Sequence, residues 1–119
     1  MFKITTLDHL ALPISDSDRS LAFYKESLGL NIERLDPFAS LRVNDGTIID
    51  LFPPHRTPHV CFVVDAPSEE IRTHLTRLGI AIFHADSQNL GARGIGASFY
   101  IHDPDGNSIE LKTYAKHAL

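Results

Sequence analysis

The chain has 119 residues, of which 43% are hydrophobic, and it carries a formal net charge of −4 at pH 7. This length suits one domain over residues 1–119, and the apolar fraction excludes a disordered chain. The acidic balance gives no electrostatic reason to bind nucleic acid or an anionic membrane, and the single Cys61 excludes an intrachain disulfide framework. Because there is no long apolar run and no signal-peptide core, the sequence predicts a soluble cytoplasmic protein.

The first half of the chain, residues 1–54, predicts a strand, a helix and three further strands. The predicted strands are residues 5–13, 31–35, 39–44 and 47–53. The polar run 15–18 supplies helix-capping residues, and Gly29 is a typical residue just after a helix end. The turn at residues 44–46 joins the last two strands as a hairpin.

The second half, residues 55–119, repeats this order of elements. The predicted strands are residues 59–64, 80–84, 97–102 and 107–113. The helix between the first two begins at Pro67 and ends at Gly79, and residues 87–96, which contain three glycines, predict a loop without a counterpart in the first half. The pattern predicts an α+β fold: two βαβββ half-modules in a pseudo-twofold repeat, with a curved mixed sheet around a cavity.

Residue types that bind metals occur at matching places in the two halves. His9 and His59 each lie twenty residues before the glycine that ends the following helix. The pattern D-G-x-x-I-[D/E]-L places Asp50 in the first half and Glu110 in the second. A pseudo-twofold axis would bring these four side chains together, so the repeat predicts a metal site assembled by symmetry.

The alternation of side chains along a strand gives each predicted strand one uniformly apolar face. We expect the helix of each half to cover that face, whereas the opposite, mixed face carries all four candidate ligands and lines a cavity. Tyr100 and His102 share the mixed face of their strand. Phe52 shares the face of Asp50, which makes Phe52 and His102 candidates for substrate contact.

Two imidazoles with one or two carboxylates suit a divalent ion such as Fe, Mn, Ni or Zn. A single histidine in a strand is more often a hydrogen-bonded structural residue, and a single glutamate is more often a surface carboxylate. The matching positions and faces favour metal binding by His9, His59 and Glu110 instead. Asp50 is one methylene shorter, so it is either a fourth ligand or a group that orients bound water or acts as a base.

Essentially the whole chain resembles the vicinal oxygen chelate superfamily of glyoxalases, extradiol dioxygenases, fosfomycin-resistance and bleomycin-binding proteins. The segments that carry the resemblance are residues 7–10, 23–30, 59–64, 98–101, 103–107 and 109–111. The run Gly91-Ala92-Arg93-Gly94 is most similar to that of small bacterial glyoxalase-like proteins. The resemblance implies metal ligands at His9, His59 and Glu110, a fourth ligand position at Asp50, and a substrate-facing hydroxyl at Tyr100. It also implies a homodimer, with a site inside one chain or shared between two.

The resemblance leaves the substrate open. The chain has no clear match for the glutathione-binding residues of glyoxalases, and residues 87–90 lack the lysine that fosfomycin-resistance proteins use there. The leading interpretation is a divalent-metal-dependent lyase, isomerase or dioxygenase acting on a small oxygen-bearing molecule. Arg93, and secondarily Arg42, would hold a carboxylate or phosphate of that molecule. The alternative is a metal-free protein that sequesters a drug or metabolite, as bleomycin-binding relatives do.

Overall fold

The computed structural model of the protein describes residues 2–115. The strands are β1 Ile4–Pro13, β2 Asn31–Arg34, β3 Ala39–Asn44, β4 Thr47–Phe52, β5 His59–Val64, β6 His84–Gly91, β7 Gly94–His102 and β8 Ser108–Thr113. The helices are α1 Ser17–Ala22, which continues as a π-helical turn over Phe23–Ser27, and α2 Ser68–Arg77. None of the helices within residues 2–115 is long and apolar enough to cross a membrane.

All eight strands form one mixed sheet in the order β2-β3-β4-β1-β5-β8-β7-β6. At its centre β1 runs antiparallel to β5, and each of these strands has a parallel neighbour from its own half, β4 beside β1 and β8 beside β5. Each half therefore contributes four strands, and β2-β3-β4-β1 from one edge corresponds to β6-β7-β8-β5 from the other. The predicted α+β fold with two βαβββ half-modules in pseudo-twofold repeat is confirmed.

Each half has an apolar cluster on one face of the sheet, as the alternation predicts. In the second half α2 contributes Ile71 and Leu75, which pack with Phe99 of β7 and Leu111 of β8. In the first half the cluster includes Leu21 of α1 and buried residues of β3 and β4. Because the helices occupy this face, the opposite face is left to form the cavity.

The glycines that end the helices behave as their positions predict. Gly29 and Gly79 have φ angles of 78° and 71°, in the left-handed region where glycine is favoured. At the start of α1, the carboxylate of Asp16 accepts a hydrogen bond from the backbone nitrogen of Arg19 at 3.0 Å. The two glycines thus end both helical segments, and the Asp16 hydrogen bond marks where α1 begins.

The predicted loop over residues 87–96 is wrong, because these residues extend a long hairpin of β6 and β7. The predicted strand at 80–84 is also wrong, since β6 begins only at residue 84. Two of the three glycines, Gly91 and Gly96, lie where the backbone packs closely against other strands. A Cβ on Gly91 would lie 2.7 Å from Cε of Lys112, and one on Gly96 would lie 2.6 Å from the carbonyl oxygen of Thr113.

Strand β1 contains a β-bulge that changes the direction of its side chains. Leu7 pairs with Phe62 and His9 pairs with Cys61, which are consecutive in β5, so Asp8 is an extra residue of β1 that has no partner in β5. A bulge breaks the regular alternation of side chains at that point. Asp8 and His9 are consequently both buried and in contact, although they are adjacent in a strand.

Candidate metal centre

Four side chains from four strands converge on the concave face of the sheet. Nε2 of His9, Nε2 of His59 and Oε1 of Glu110 lie 3.1 Å from one another in each of the three pairs. Oδ2 of Asp50 lies 3.8 Å from Nε2 of His9. The pairings β1–β4 and β5–β8 place a histidine strand beside a carboxylate strand in each half, and the β1–β5 pairing joins the two histidine strands.

The spacing of these donor atoms fits a divalent transition metal. Nitrogen and oxygen ligands bind such ions at about 2.1 Å, which separates neighbouring ligand atoms by roughly 3.0–3.4 Å in octahedral or tetrahedral geometry. The observed separation of 3.1 Å lies in this range. The set of two imidazoles and one carboxylate is also a donor set that such ions prefer.

Asp8 orients the imidazole of His9 from behind. Its Oδ1 accepts hydrogen bonds from Nδ1 of His9 at 2.6 Å and from the backbone nitrogen of Ala92 at 3.0 Å. Its Oδ2 accepts a hydrogen bond from the hydroxyl of Tyr114 at 2.5 Å. Burial by itself raises the pKa of Asp8, but the hydrogen bonds from His9, Tyr114 and Ala92 outweigh it and lower the pKa, so the group is an ionised acceptor.

The Asp8 contact decides which nitrogen of His9 faces the other ligands. An ionised carboxylate only accepts, so Nδ1 of His9 carries a proton and a neutral ring presents the Nε2 lone pair to Glu110. Without a cation, that lone pair would face an anionic oxygen. Burial lowers the pKa of His9, yet hydrogen bonds to Asp8 and Glu110 prevail and raise it to about 9. The geometry therefore requires either a second proton or a metal ion at this point.

Glu110 is fixed through one oxygen and presents the other. Oε2 accepts hydrogen bonds from Oγ of Ser98 at 2.6 Å and from Nδ2 of Asn89 at 3.0 Å, and Nζ of Lys112 lies 3.6 Å away. Oε1 remains directed at the two histidines. Burial raises the pKa of Glu110, but the hydrogen bonds to His59 and His9 outweigh burial and leave the pKa well below its usual range. The carboxylate is thus ionised, and its Oε1 is available to bind an ion.

The buried amine of Lys112 stabilises the hydrogen bonds around Oε2 of Glu110. Its side chain is fully buried, and Nζ donates to the carbonyl oxygen of Asn89 at 2.8 Å and to Oγ of Ser98 at 2.9 Å. A buried ammonium is tolerated only where hydrogen bonds and an opposite charge compensate for its lost hydration. Here the Glu110 carboxylate supplies the opposite charge. The lysine therefore fixes the network that holds Oε2.

Asp50 is held less tightly than Glu110. Its Oδ1 accepts a hydrogen bond from Oγ of Ser40 at 2.6 Å, and its Oδ2 points towards His9. Burial raises the pKa of Asp50, against the opposing effects of the His9 charge and the Ser40 hydrogen bond. A carboxylate with a raised pKa near a set of metal-binding atoms is suited either to bind an ion or to exchange a proton with a ligand.

A cavity of about 350 Å³ opens above these ligands. Its aromatic lining comes from both halves, and the residues concerned are Phe38, Phe52, Phe83, His84 and Tyr100. Arg56 lies at its edge, with the guanidinium 5.2 Å from the centre of the Phe52 ring. Burial and the nearby Glu110 raise the pKa of Tyr100, so the phenol keeps its proton. The hydroxyl oxygen of Tyr100 accepts a hydrogen bond from Asn89 at 2.9 Å.

The structure brings six of the nine sequence-predicted site residues to this cavity. These are His9, Asp50, Phe52, His59, Tyr100 and Glu110. His102 is not among the residues that line the cavity, but it stacks on Phe83, which is, with ring centres 4.2 Å apart. Cys61, which is buried beside the histidines, has its pKa raised by burial and packs as an uncharged thiol.

Arg42 and Arg93 are not brought to the cavity, contrary to the expected role in holding substrate. The guanidinium of Arg42 forms an ion pair with Glu33 at 2.8 Å and donates to the carbonyl oxygen of Ala92 at 2.9 Å. The guanidinium of Arg93 donates to the hydroxyl of Thr6 at 3.2 Å and packs against the ring of Tyr114. Both side chains thus tie the β6–β7 turn to the first half of the sheet.

Sequence reasoning missed the residues that support the ligands. These are Asp8, Asn89, Ser98, Lys112 and Tyr114. Lys112 carried a usable signal, because it shares the mixed face of its strand with Glu110. The sequence carries no signal for Asp8. Regular alternation places adjacent residues on opposite faces, and only the bulge turns Asp8 towards His9.

The comparison with known proteins assigns the chain to a family. Residues 6–111 match the profile of the Glyoxalase/Bleomycin resistance protein/Dioxygenase superfamily, and the chain belongs to that superfamily, as its resemblance implied. It is 30% identical to glutathione transferase FosA of Serratia marcescens, over 91% of this chain and 80% of that protein. It is 28% identical to a virulence protein of Salmonella typhimurium, over 93% of this chain and 85% of that protein.

A solved structure supports the fold over nearly the full length. Methylmalonyl-CoA epimerase of Streptomyces coelicolor superposes with a TM-score of 0.73 at 21% identity, covering 96% of this chain and 100% of that one. At this level of identity the likeness concerns the fold alone. The chemistry of the present chain has to be inferred from its own residues.

Proposed function

We propose that this protein is a divalent-metal-dependent enzyme that acts on a small molecule through two adjacent oxygen atoms. The observation that carries the proposal is the set of 3.1 Å separations among the donor atoms of His9, His59 and Glu110. These three residues would hold the ion, with Asp50 as a fourth ligand or a base. The bound ion would polarise a substrate oxygen as a Lewis acid.

The remaining residues of the cavity suit proton transfer and orientation. Tyr100 keeps its phenolic proton, so it can donate a hydrogen bond to a substrate oxygen. Asp50, with its raised pKa, is the carboxyl group of the site best suited to take up and return a proton. The Ser40 hydrogen bond keeps the Asp50 carboxylate aimed at the centre of the site. Together these groups support a lyase or isomerase reaction, with oxygenation as the other reaction type.

Metal analysis tests this proposal directly. Protein purified without a His tag and reconstituted separately with Fe(II), Mn, Ni or Zn is expected to retain one equivalent of ion per chain. His9→Ala should lose the ion, whereas His55→Ala, in the exposed link after β4, should retain it. No ion above background in the reconstituted wild-type protein would contradict the proposal. If His9→Ala bound a small-molecule ligand as tightly as wild type does, metal-free sequestration would be the better account.

The reaction type follows from a second measurement on the same preparations. Activity only with Fe(II), accompanied by oxygen uptake, would identify oxygenation. Activity with Ni, Zn or Mn under anaerobic conditions would identify the lyase or isomerase reaction.

We also propose a homodimer, which analytical ultracentrifugation tests by mass. The ligand atoms of His9, His59, Asp50 and Glu110 all lie in one chain. We therefore propose that each chain holds its own ion, whether or not it is paired. A dilution series should accordingly dissociate the dimer without releasing the ion.

A further inference from the structure

The cavity above the proposed metal centre has two aromatic walls, one from each half of the sheet. In the first half, Phe52 at the end of β4 packs against Phe38, with ring centres 4.5 Å apart. In the second half, Tyr100 of β7 lies 6.1 Å from Phe83 and 5.3 Å from His84 between ring centres. Each wall thus presents aromatic surface to the space that both walls line.

The ring of His59 is a neighbour of both walls. The ring centre of His59 is 6.2 Å from that of Phe52 and 5.9 Å from that of Tyr100. A molecule bound through oxygens near Nε2 of His59 would therefore extend between the walls. Aromatic side chains favour a flat π-system in such a position, because stacked and edge-to-face contacts add to the burial of apolar area.

The mouth of the cavity carries a positive charge. Arg56 supplies the one Lys or Arg side chain among the described residues that line the cavity. Its guanidinium packs on the Phe52 ring, and no carboxylate of residues 2–115 forms an ion pair with it. The fork of N–H donors on an arginine matches a carboxylate. An anionic group on the ligand would find its partner there.

The size of the cavity limits the ligand. A volume of about 350 Å³ holds roughly a dozen non-hydrogen atoms if each takes the ~30 Å³ of a water molecule in the liquid. This is at the small end of the range for ligand sites. A single ring with one or two short polar substituents fills it, and a larger ligand would have to extend through the mouth.

We propose that the substrate is a small aromatic acid. Its paired oxygen atoms face His9, His59 and Glu110, its ring lies between Phe52 and Tyr100, and its carboxylate faces Arg56. This assignment rests on the proposed metal-dependent function and adds the substrate class to it. The aromatic walls select the ring, and the arginine selects the negative charge.

Three hydroxamates separate the contributions of ring and charge, since all bind metals through the same pair of adjacent oxygens. Acetohydroxamate has neither feature, benzohydroxamate adds the ring, and 4-carboxybenzohydroxamate adds the carboxylate. Titration calorimetry on protein of verified metal content should show affinity rising at each step. The carboxylate should contribute about fivefold, the upper range for an exposed ion pair.

Two variants assign these gains to residues. Arg56→Gln should remove the gain due to the carboxylate and leave the affinity for benzohydroxamate unchanged. Phe52→Leu should reduce the gain due to the ring and leave the affinity for acetohydroxamate unchanged. Neither side chain supplies a proposed metal ligand, so both variants should keep the wild-type metal content.

The outcomes distinguish this inference from the proposed function. If metal-loaded protein bound all three hydroxamates equally, the aromatic-acid assignment would be wrong and the metal centre would stand. A carboxylate gain that persists in Arg56→Gln would also overturn the assignment. Protein that retains no ion after reconstitution would overturn both proposals.

Discussion

Oδ1 of Asp8 lies 2.6 Å from Nδ1 of His9, although the two residues are consecutive in strand β1. The β-bulge at Asp8 allows this contact, because it breaks the regular alternation of side chains along β1. Metal-binding histidines commonly donate their second ring nitrogen to a carboxylate, which fixes the tautomer and strengthens the ligand. We therefore infer that Asp8 orients the imidazole ring of His9.

Replacing Asp8 should weaken metal binding without removing any proposed ligand. For Asp8→Asn we expect a loss of about 10- to 100-fold in affinity, because the amide cannot stabilise the ring as a carboxylate does. The measurement is a metal titration in competition with a chelator. Asp16→Asn, at the exposed start of α1, serves as the control and should bind the ion as wild type does. Unchanged affinity in Asp8→Asn would show that His9 needs no such support.

The two carboxylates should contribute unequally to metal binding. Oε1 of Glu110 lies 3.1 Å from both imidazole nitrogens, whereas Oδ2 of Asp50 lies 3.8 Å from one of them. We expect Glu110→Gln to reduce the affinity for the ion more than Asp50→Asn does. Equal losses in the same titration would make Asp50 a full ligand and leave Tyr100 as the main proton donor of the site.

The stability of the metal-free protein should depend on pH through His9. Its pKa is raised from 6.5 to about 9, so its contribution to stability is fully present below pH 6.5 and is lost as pH rises through 9. At about 1.4 kcal/mol per pKa unit, the free energy of unfolding should fall by at most ~3.5 kcal/mol over this interval. Urea titrations at several pH values measure the change.

Two controls identify His9 as the source of that slope. His9→Gln should show a much flatter dependence of the unfolding free energy between pH 6.5 and 9. A saturating metal ion should also abolish the fall, because the ion takes the place of the proton and binds more tightly as the pH rises. A slope that persists in His9→Gln would assign the titration to another group.

Adding one methyl group at residue 91 should disturb the support of the site. A Cβ there would lie 2.7 Å from Cε of Lys112 and 2.8 Å from Oδ1 of Asp8, and both groups are held by hydrogen bonds. We expect Gly91→Ala to lower the free energy of unfolding by about 1–3 kcal/mol, as overpacking does. Gly46→Ala is the matched control, with its nearest contact at 3.3 Å from Cγ2 of Thr6, and should be milder. Equal effects in thermal denaturation would contradict the steric argument.

The fold and the convergence of the candidate ligands were predictable because they depend on regular features. The period of two along a strand placed His59 and Glu110 on the mixed face, and the repeat of elements placed them near His9. Gly29 and Gly79 ended the helices where the pattern indicated. Such signals are local. The pseudo-twofold relation between the halves is what predicts that the four side chains lie close together in space.

The parts that sequence analysis missed depend on irregular or long-range contacts. Asp8 faces His9 only because of the bulge, and nothing in the sequence marks that bulge. Gly91 suggested a loop, but it is a point where the backbone passes close to buried side chains from other strands. Arg93 was expected in the cavity because of its glycine-rich surroundings, whereas the hairpin turn carries it to Thr6. Each of these outcomes depends on partners distant in sequence.

The residues two positions beyond the carboxylates differ between the halves. After Asp50 comes Phe52, which lines the cavity, and after Glu110 comes Lys112, which is sealed beneath it. The two halves thus use equivalent positions differently: the first half turns this residue towards the cavity, and the second half buries it beside Glu110. A substitution at position 52 would therefore alter the lining of the cavity and leave the buried hydrogen bonds around Glu110 in place, so equivalent positions of the two halves are free to diverge independently.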